Sequence, residues 1–169
     1  MNKQSLRKLI KECIQEILDT DSPEGTKSFA QIYKDNDIKS QSTFVKQYIK
    51  TALWSSTTGL EPSGGDPLDK QYSVDDIDHK TILKMAADAK DFQEKYGELY
   101  EKGGWDDEQA AHDFWLSRNG HGSGFKDRGY DYNSEEIGNE LHKAAKSYGS
   151  YDLYLGDGPN DGILFGYPP

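Results

Sequence analysis

Between His112 and Arg128 the chain reads HDFWLSRNGHGSGFKDR, gathering two histidines, two arginines, a lysine and two aspartates. Histidine titrates near neutral pH, so His112 or His121 can serve as a general base, and a neighbouring carboxylate such as Asp113 or Asp127 can orient the ring. Arginine offers a planar fork that suits phosphate or carboxylate. The Gly122, Gly124 and Gly129 backbone is sterically permissive and can approach a ligand closely. The formal charge of this stretch is positive before either histidine protonates, whereas the whole chain carries −10. The stretch is therefore a basic island on an acidic protein, and its predicted ligand is a small anion. The candidate ligand-binding set is His112, Asp113, Trp115, Arg118, Asn119, His121, Gly122, Gly124, Asp127 and Arg128.

A structural reading of the same residues stands beside that one. Arg118 can satisfy the last carbonyls of a helix, Asn119-Gly120 can be an ordinary C-cap, and Phe114, Trp115 and Phe125 can be core. His112 can be a buried ring bonded to backbone. The loop also lacks the Lys-Ser/Thr ending of a phosphate-cradling P-loop, and no predicted strand leads into it. A hydrolase built on His112 or His121 lacks a recognisable nucleophile: there is no G-x-S-x-G, and the nearness of Ser117 and Ser123 in sequence is not triad geometry. The separations of His112, Asp113, His121 and Asp127 fit no standard zinc spacing. No metal and no cofactor are expected, and catalytic residues stay unassigned.

Helices must position this stretch. Asp106 or Asp107 can cap a helix whose Ala111, Phe114, Trp115 and Arg118 share one face, and Asn119-Gly120 stops it. His121 to Gly129 reads as a loop. Ser42 or Thr43 caps an earlier helix with Phe44, Val45, Tyr48, Ile49 and Ala52 buried. Trp54 at its end reads as core, with a pocket wall as the alternative. Gly59 to Tyr72, broken by Pro62, Gly64, Gly65 and Pro67, reads as a surface loop and candidate lid. The longest helix runs from about Lys80 to Glu101, with Asp88, Asp91, Glu94, Glu98 and Glu101 facing water. Ser134 opens a further helix ending near Tyr148-Gly149. Tyr151–Leu155 and Ile163–Phe165 form a hairpin across Asp157–Gly162, and such a hairpin must pack on the helices to be stable. Calcium at Asp157, Asn160 and Asp161 is disfavoured, because their spacing matches no EF-hand loop.

The chain has 169 residues, 34% of them hydrophobic, enough for one domain with a modest core plus an extension. The fold class predicted is α+β: a mostly helical domain of four to five helices, with a C-terminal β-hairpin. Residues 1–19 form an amphipathic helix, 20–41 a polar linker and 42–169 the globular domain. In the first helix Leu6, Leu9, Ile10, Cys13, Ile14 and Ile17 recur at helical spacing. Lys3, Arg7, Lys8 and Lys11 oppose its dipole, so docking must hold it, on its own domain or on a host or phage structural protein. It lacks the aromatic anchors expected at a membrane, and no apolar run is long enough to span one, so no membrane is expected. The single cysteine, Cys13, excludes an internal disulfide and a cysteine-built metal site. Between Glu61 and Glu108 there are fourteen acids and six bases. That balance argues against direct nucleic-acid binding, which relies on Lys/Arg contacts to phosphate. It allows the inverse idea, an acidic mimic of nucleic acid.

Three runs carry a resemblance. ALWSS at Ala52–Ser56, HDFWLSRNGHGSGF at His112–Phe125 and SYGSYDLYLGD at Ser147–Asp157 resemble the ALWSS, DFWLxRNGHGxGF and YGxxDLYxGD motifs of an uncharacterised family of small tailed-bacteriophage proteins. The resemblance extends from Phe44 to Phe165, and the first forty residues depart from it. That family has no assigned reaction. The resemblance implies a phage protein in the host bacterial cytoplasm or in the virion, and no mechanism. The expected function is an accessory binding module that engages a host factor or small anionic ligand through His112–Arg128. The alternatives are an anti-defence mimic that inhibits a host DNA-binding protein, a virion component attached by its N-terminal helix, and a small hydrolase.

Overall fold

The computed structural model describes residues 38–59, 65–132 and 134–167. The chain divides into two units, Met1–Gln41 and Ser42–Pro169. Of the first, the described part holds a 3-10 turn at Ile38–Ser40. The predicted N-terminal helix, with Leu6, Leu9, Ile10, Ile14 and Ile17, lies outside the described residues.

The second unit is α+β. Helices α1 (Thr43–Ser55), α2 (His79–Lys102), α3 (Asp107–Asn119), α4 (Phe125–Asp131) and α5 (Glu135–Lys146) precede an antiparallel hairpin of β1 (Asp152–Leu155) and β2 (Leu164–Tyr167). Local chemistry sets the helix ends. Ser42 caps α1 by accepting from the Val45 amide at 3.3 Å. Asp78 caps α2 by accepting from the Lys80 and Thr81 amides. Asp106 caps α3 through the Gln109 amide at 2.8 Å. Each side chain satisfies donors that the first helical turn leaves unpaired. Gly120, at φ 76°, ends α3 in the left-handed region, where glycine carries no Cβ penalty.

Helix α3 is the axis of the unit. Its Ala110, Ala111 and every residue from Asp113 to Arg118 are buried. Around it lies an aromatic core: the Phe92 and Phe114 rings stack 4.0 Å apart, and Tyr48 lies 5.0 Å from Phe114. Phe44, Trp115 and Phe125 are also wholly buried. Trp115 Nε1 donates to Ser55 Oγ at 2.7 Å, so even this ring's polar edge is used inside the fold.

The hairpin docks where α2 begins. The Gly166 amide donates to Thr81 Oγ1 at 3.0 Å, and the Asp78 amide to the Leu164 carbonyl at 2.8 Å. Leu153, Leu164 and Gly166 face inward, and Asp152, Tyr154 and Tyr167 face out.

Three expectations are corrected. The second half of the motif is not a loop throughout, because Phe125–Asp131 is helical. Gly129 serves packing there: a Cβ on it would lie 3.0 Å from the Gly138 Cα, and one on Gly138 would lie 2.5 Å from the Phe125 carbonyl oxygen. The α4 and α5 backbones meet at this glycine pair. The described part of the candidate lid is fastened down. Leu68 is wholly buried, and its amide donates to the Ser56 carbonyl at 2.9 Å. Finally, Asp88 does not face water. It is buried against Arg118.

Candidate functional site

Arg118, expected to hold an anion, is turned into the protein. It is 2% exposed. Its Nη1 donates to Tyr48 Oη at 2.7 Å and to Asp88 Oδ2 at 2.9 Å. Nε reaches the Gly149 carbonyl at 2.5 Å, and Nη2 the Tyr148 carbonyl at 3.0 Å. The guanidinium also lies over the Tyr151 ring, 5.1 Å from its centre. The physical reason is helical phase. Arg118 shares the inner face of α3 with Phe114 and Trp115, and a buried cation must have its donors occupied. Burial, the largest influence, pushes the Tyr48 phenol well above its ordinary value, so it stays a neutral acceptor.

Asp113 is likewise withdrawn from solvent, but it organises a surface above it. Its carboxylate is wholly buried. Oδ2 accepts from Trp105 Nε1 at 2.8 Å, and Oδ1 accepts from Gln109 Nε2 at 2.8 Å and from His112 Nδ1 at 3.2 Å. Arg128 Nε stands 3.6 Å from Oδ2, and Arg128 Nη1 stands 3.7 Å from Asp131. His112 and Arg128 thus flank one buried charge, with side chains 26% and 28% exposed. Beside His112 lies the ring of Trp54, 5.7 Å away and tilted by 37°. Trp54 is 53% exposed, so its assignment to the core is corrected. Beyond Arg128, the exposed Tyr132 packs edge-on against Trp105, ring centres 4.9 Å apart. The result is a strip running Trp54, His112, Arg128, Tyr132, tied from beneath by Asp113.

The remaining predicted residues fall elsewhere. Trp115 is core. Asn119 is structural on its oxygen side, where Oδ1 accepts from the Tyr151 amide at 2.7 Å, while its Nδ2 is buried with no partner. His121 and Gly122 are exposed, with His121 Nε2 3.8 Å from the Asp152 carboxylate. Gly124 is a packing residue: a Cβ there would lie 2.9 Å from the Ser117 amide nitrogen. Ser117 Oγ in turn accepts from the Phe125 amide, which accounts for this serine without a nucleophilic role. Asp127 is exposed beside a groove of about 460 Å³ lined by Lys126, Asp127, Asp131, Glu135 and Asn139. The motif therefore does not converge on one pocket. It divides between a buried clamp, an exposed strip and an exposed glycine turn. Among the described residues no group of three or more His, Cys, Asp or Glu side chains is arranged to hold a metal ion.

No family model, curated protein or solved structure matches this chain.

Of the strip's residues, Tyr132 escaped the sequence reading, which gives Trp54 as core, with a pocket wall as the alternative. Trp54 sits one position past the buried Leu53 at the end of α1. A register of Phe44, Tyr48, Ile49 and Ala52 turns position 54 away from the core, which was the usable signal. Tyr132 joins the strip through the α4 helix that the glycines concealed. No helix among the described residues is long and apolar enough to cross a membrane.

Proposed function

We propose that the chain is a binding module and that a protein partner docks on the Trp54–His112–Arg128–Tyr132 strip. The observation that carries this reading is the buried Asp113 carboxylate, which bonds His112 beside an exposed tryptophan and lies 3.6 Å from Arg128 Nε, a buried donor with no hydrogen-bond partner of its own. Tryptophan, tyrosine and arginine are the side chains that contribute most at protein interfaces. Side chains fixed before binding lose little conformational entropy when they engage. A single exposed tryptophan is ordinary on a soluble surface. An exposed tryptophan next to an anchored imidazole, with a guanidinium at ion-pair distance from the same buried carboxylate, is a more organised arrangement. The motif resemblance to phage proteins supports a host factor as the partner.

The test compares Trp54→Ala and Arg128→Ala with the unaltered chain. Proteins retained from a bacterial lysate are identified, and the affinity of each is measured by titration calorimetry. The expected loss for Trp54→Ala is about 30-fold, the equivalent of roughly 2 kcal/mol for a hot-spot residue. A lysate in which no protein depends on Trp54 and Arg128 overturns the reading.

The Asp113–His112 bond favours one second reading, a hydrolase. A carboxylate that holds Nδ1–H leaves Nε2 as the proton acceptor, the arrangement of a general base. Hydrolysis of chromogenic carboxylic or phosphoric esters that is lost in His112→Gln would support it; no His112-dependent turnover dismisses it.

A further inference from the structure

The hairpin has one edge fastened and one edge open. The Gly156 amide donates to the Ile163 carbonyl at 2.8 Å. In the register that sets Asp152 against Tyr167 and Tyr154 against Phe165, this bond turns the even-numbered backbone groups of β1 toward β2. The odd-numbered ones point away, because direction alternates along an antiparallel strand. On β2 the outward groups are used: the Leu164 carbonyl accepts from the Asp78 amide, and the Gly166 amide donates to Thr81. On β1 the Tyr151 amide is held by Asn119. Past it, among the described residues, no bond reaches the outward amides and carbonyls of Leu153 and Leu155. An unpaired edge is a template for another strand, and sheets blunt such edges with lysine, proline or a bulge. Strand β1, reading Asp-Leu-Tyr-Leu in unbroken register, is short but has none of these.

The outer face beside that edge is aromatic and acidic. Asp152 and Tyr154 point out of β1, with Tyr167 and Phe165 across from them. Tyr154 and Tyr167 are exposed, and the Tyr154 and Phe165 rings lie 5.9 Å apart. From Ser147 to Pro169 the sequence carries Asp152, Asp157 and Asp161, all exposed, and no lysine or arginine. His121 stands 3.8 Å from Asp152. Where Ile77 bridges Leu164, the flanking Asp75, Asp76 and Asp78 outnumber His79 and Lys80.

A strand laid along β1 lies about 5 Å from it. Its outward side chains then stand opposite Asp152 and Tyr154, and its inward ones beside Leu153 and the half-buried Leu155. A cation opposite Asp152 makes a cross-strand pair, and one over Tyr154 meets the negative face of the ring. Alternating basic and apolar side chains satisfy both faces. A second copy of this chain is a poorer occupant, since it brings the same aspartates and a net charge of −10.

We propose that the open edge of β1 binds an extended basic segment of a partner protein by strand addition, with lysine or arginine on the segment's outward side. The surface uses none of the residues of the Trp54 strip and does not depend on that reading.

The probe is a hexapeptide alternating arginine and valine, titrated into the full chain while the Leu153 and Leu155 amide resonances are followed by NMR. One control peptide has N-methylated valines, which keeps the charge and prevents backbone pairing. The other replaces arginine with glutamate. Both amides should shift downfield and saturate with the arginine peptide alone. Asp152→Lys, at an exposed position, should weaken binding about tenfold. Tyr154→Ala should weaken it about threefold. No shift with the arginine peptide, an equal shift with either control, or an unchanged affinity in either variant overturns the proposal. Shifts of the same amides that grow with protein concentration, without peptide, give the edge to a second copy and overturn it as well.

Discussion

Replacing Arg118 by alanine tests whether this residue is a ligand contact or a buried clamp. The guanidinium donates four hydrogen bonds, to Tyr48, Asp88 and the carbonyls of Tyr148 and Gly149. Removing it leaves the Asp88 carboxylate, with 12% of its side chain exposed, without its buried counter-charge. Breaking a buried ion pair from one side costs about 3–5 kcal/mol. Lys84 still bonds Asp88 at 2.5 Å from the solvent side, so the lower end applies, about 3 kcal/mol. In a chain of this length that lowers the melting temperature by roughly 6–12 °C. Arg118→Lys keeps the charge, but its single ammonium cannot span four acceptors, and it should lose about 1–3 kcal/mol. Urea unfolding followed by circular dichroism gives both values. A cycle with Asp88→Asn isolates the pair. A surface arginine would show a change within about 0.5 kcal/mol. A result of that size for Arg118→Ala would falsify the clamp.

Two further outcomes rest on the same core. Gly138→Ala puts a methyl group 2.5 Å from the Phe125 carbonyl oxygen, so α4 and α5 must separate, at a cost of about 1–3 kcal/mol in urea unfolding; a neutral result would mean that the glycine contact is not what holds these helices. Burial pushes the phenols of Tyr48, Tyr100, Tyr148 and Tyr151 up. Above about pH 10 the unfolded chain sheds those protons while the folded chain keeps them, so their stabilisation is full below that pH and is lost as pH rises further. The urea midpoint should therefore hold steady up to about pH 10 and fall progressively above it. Tyr48→Phe should flatten that fall, and an equally steep fall would remove Tyr48 from the explanation.

Periodicity and capping carried most of the fold. Asp106, Asp78 and Ser42 are caps because short polar side chains precede apolar-periodic runs, a signal local to each helix. What escaped was set by residues distant in the chain. The helical phase that places Arg118 with Phe114 and Trp115 was visible. Its carboxylate partner, thirty positions upstream on a face that looked solvated, was not. Helix α4 was hidden because Gly124 and Gly129 suit a loop equally well. Only the contacts of Gly124 with Ser117 and of Gly129 with Gly138 distinguish packing from freedom. The candidate site divided for the same reason. Charge and spacing marked His112 to Arg128 as chemically dense, but a helix distributes neighbours over opposite faces, and the buried face took Asp113 and Arg118.

The bonds from Arg118 and Asn119 to Gly149 and Tyr151 join the central helix to the entry of a two-stranded ribbon. A ribbon of that size would ordinarily fray first and surrender its amide protons early. Moored at its entry by the most enclosed cation of the domain, and at Gly166 by Thr81, it is bound into the same cooperative unit. Its deuterium uptake should keep pace with α3, so the last segment of the domain opens only when the middle does.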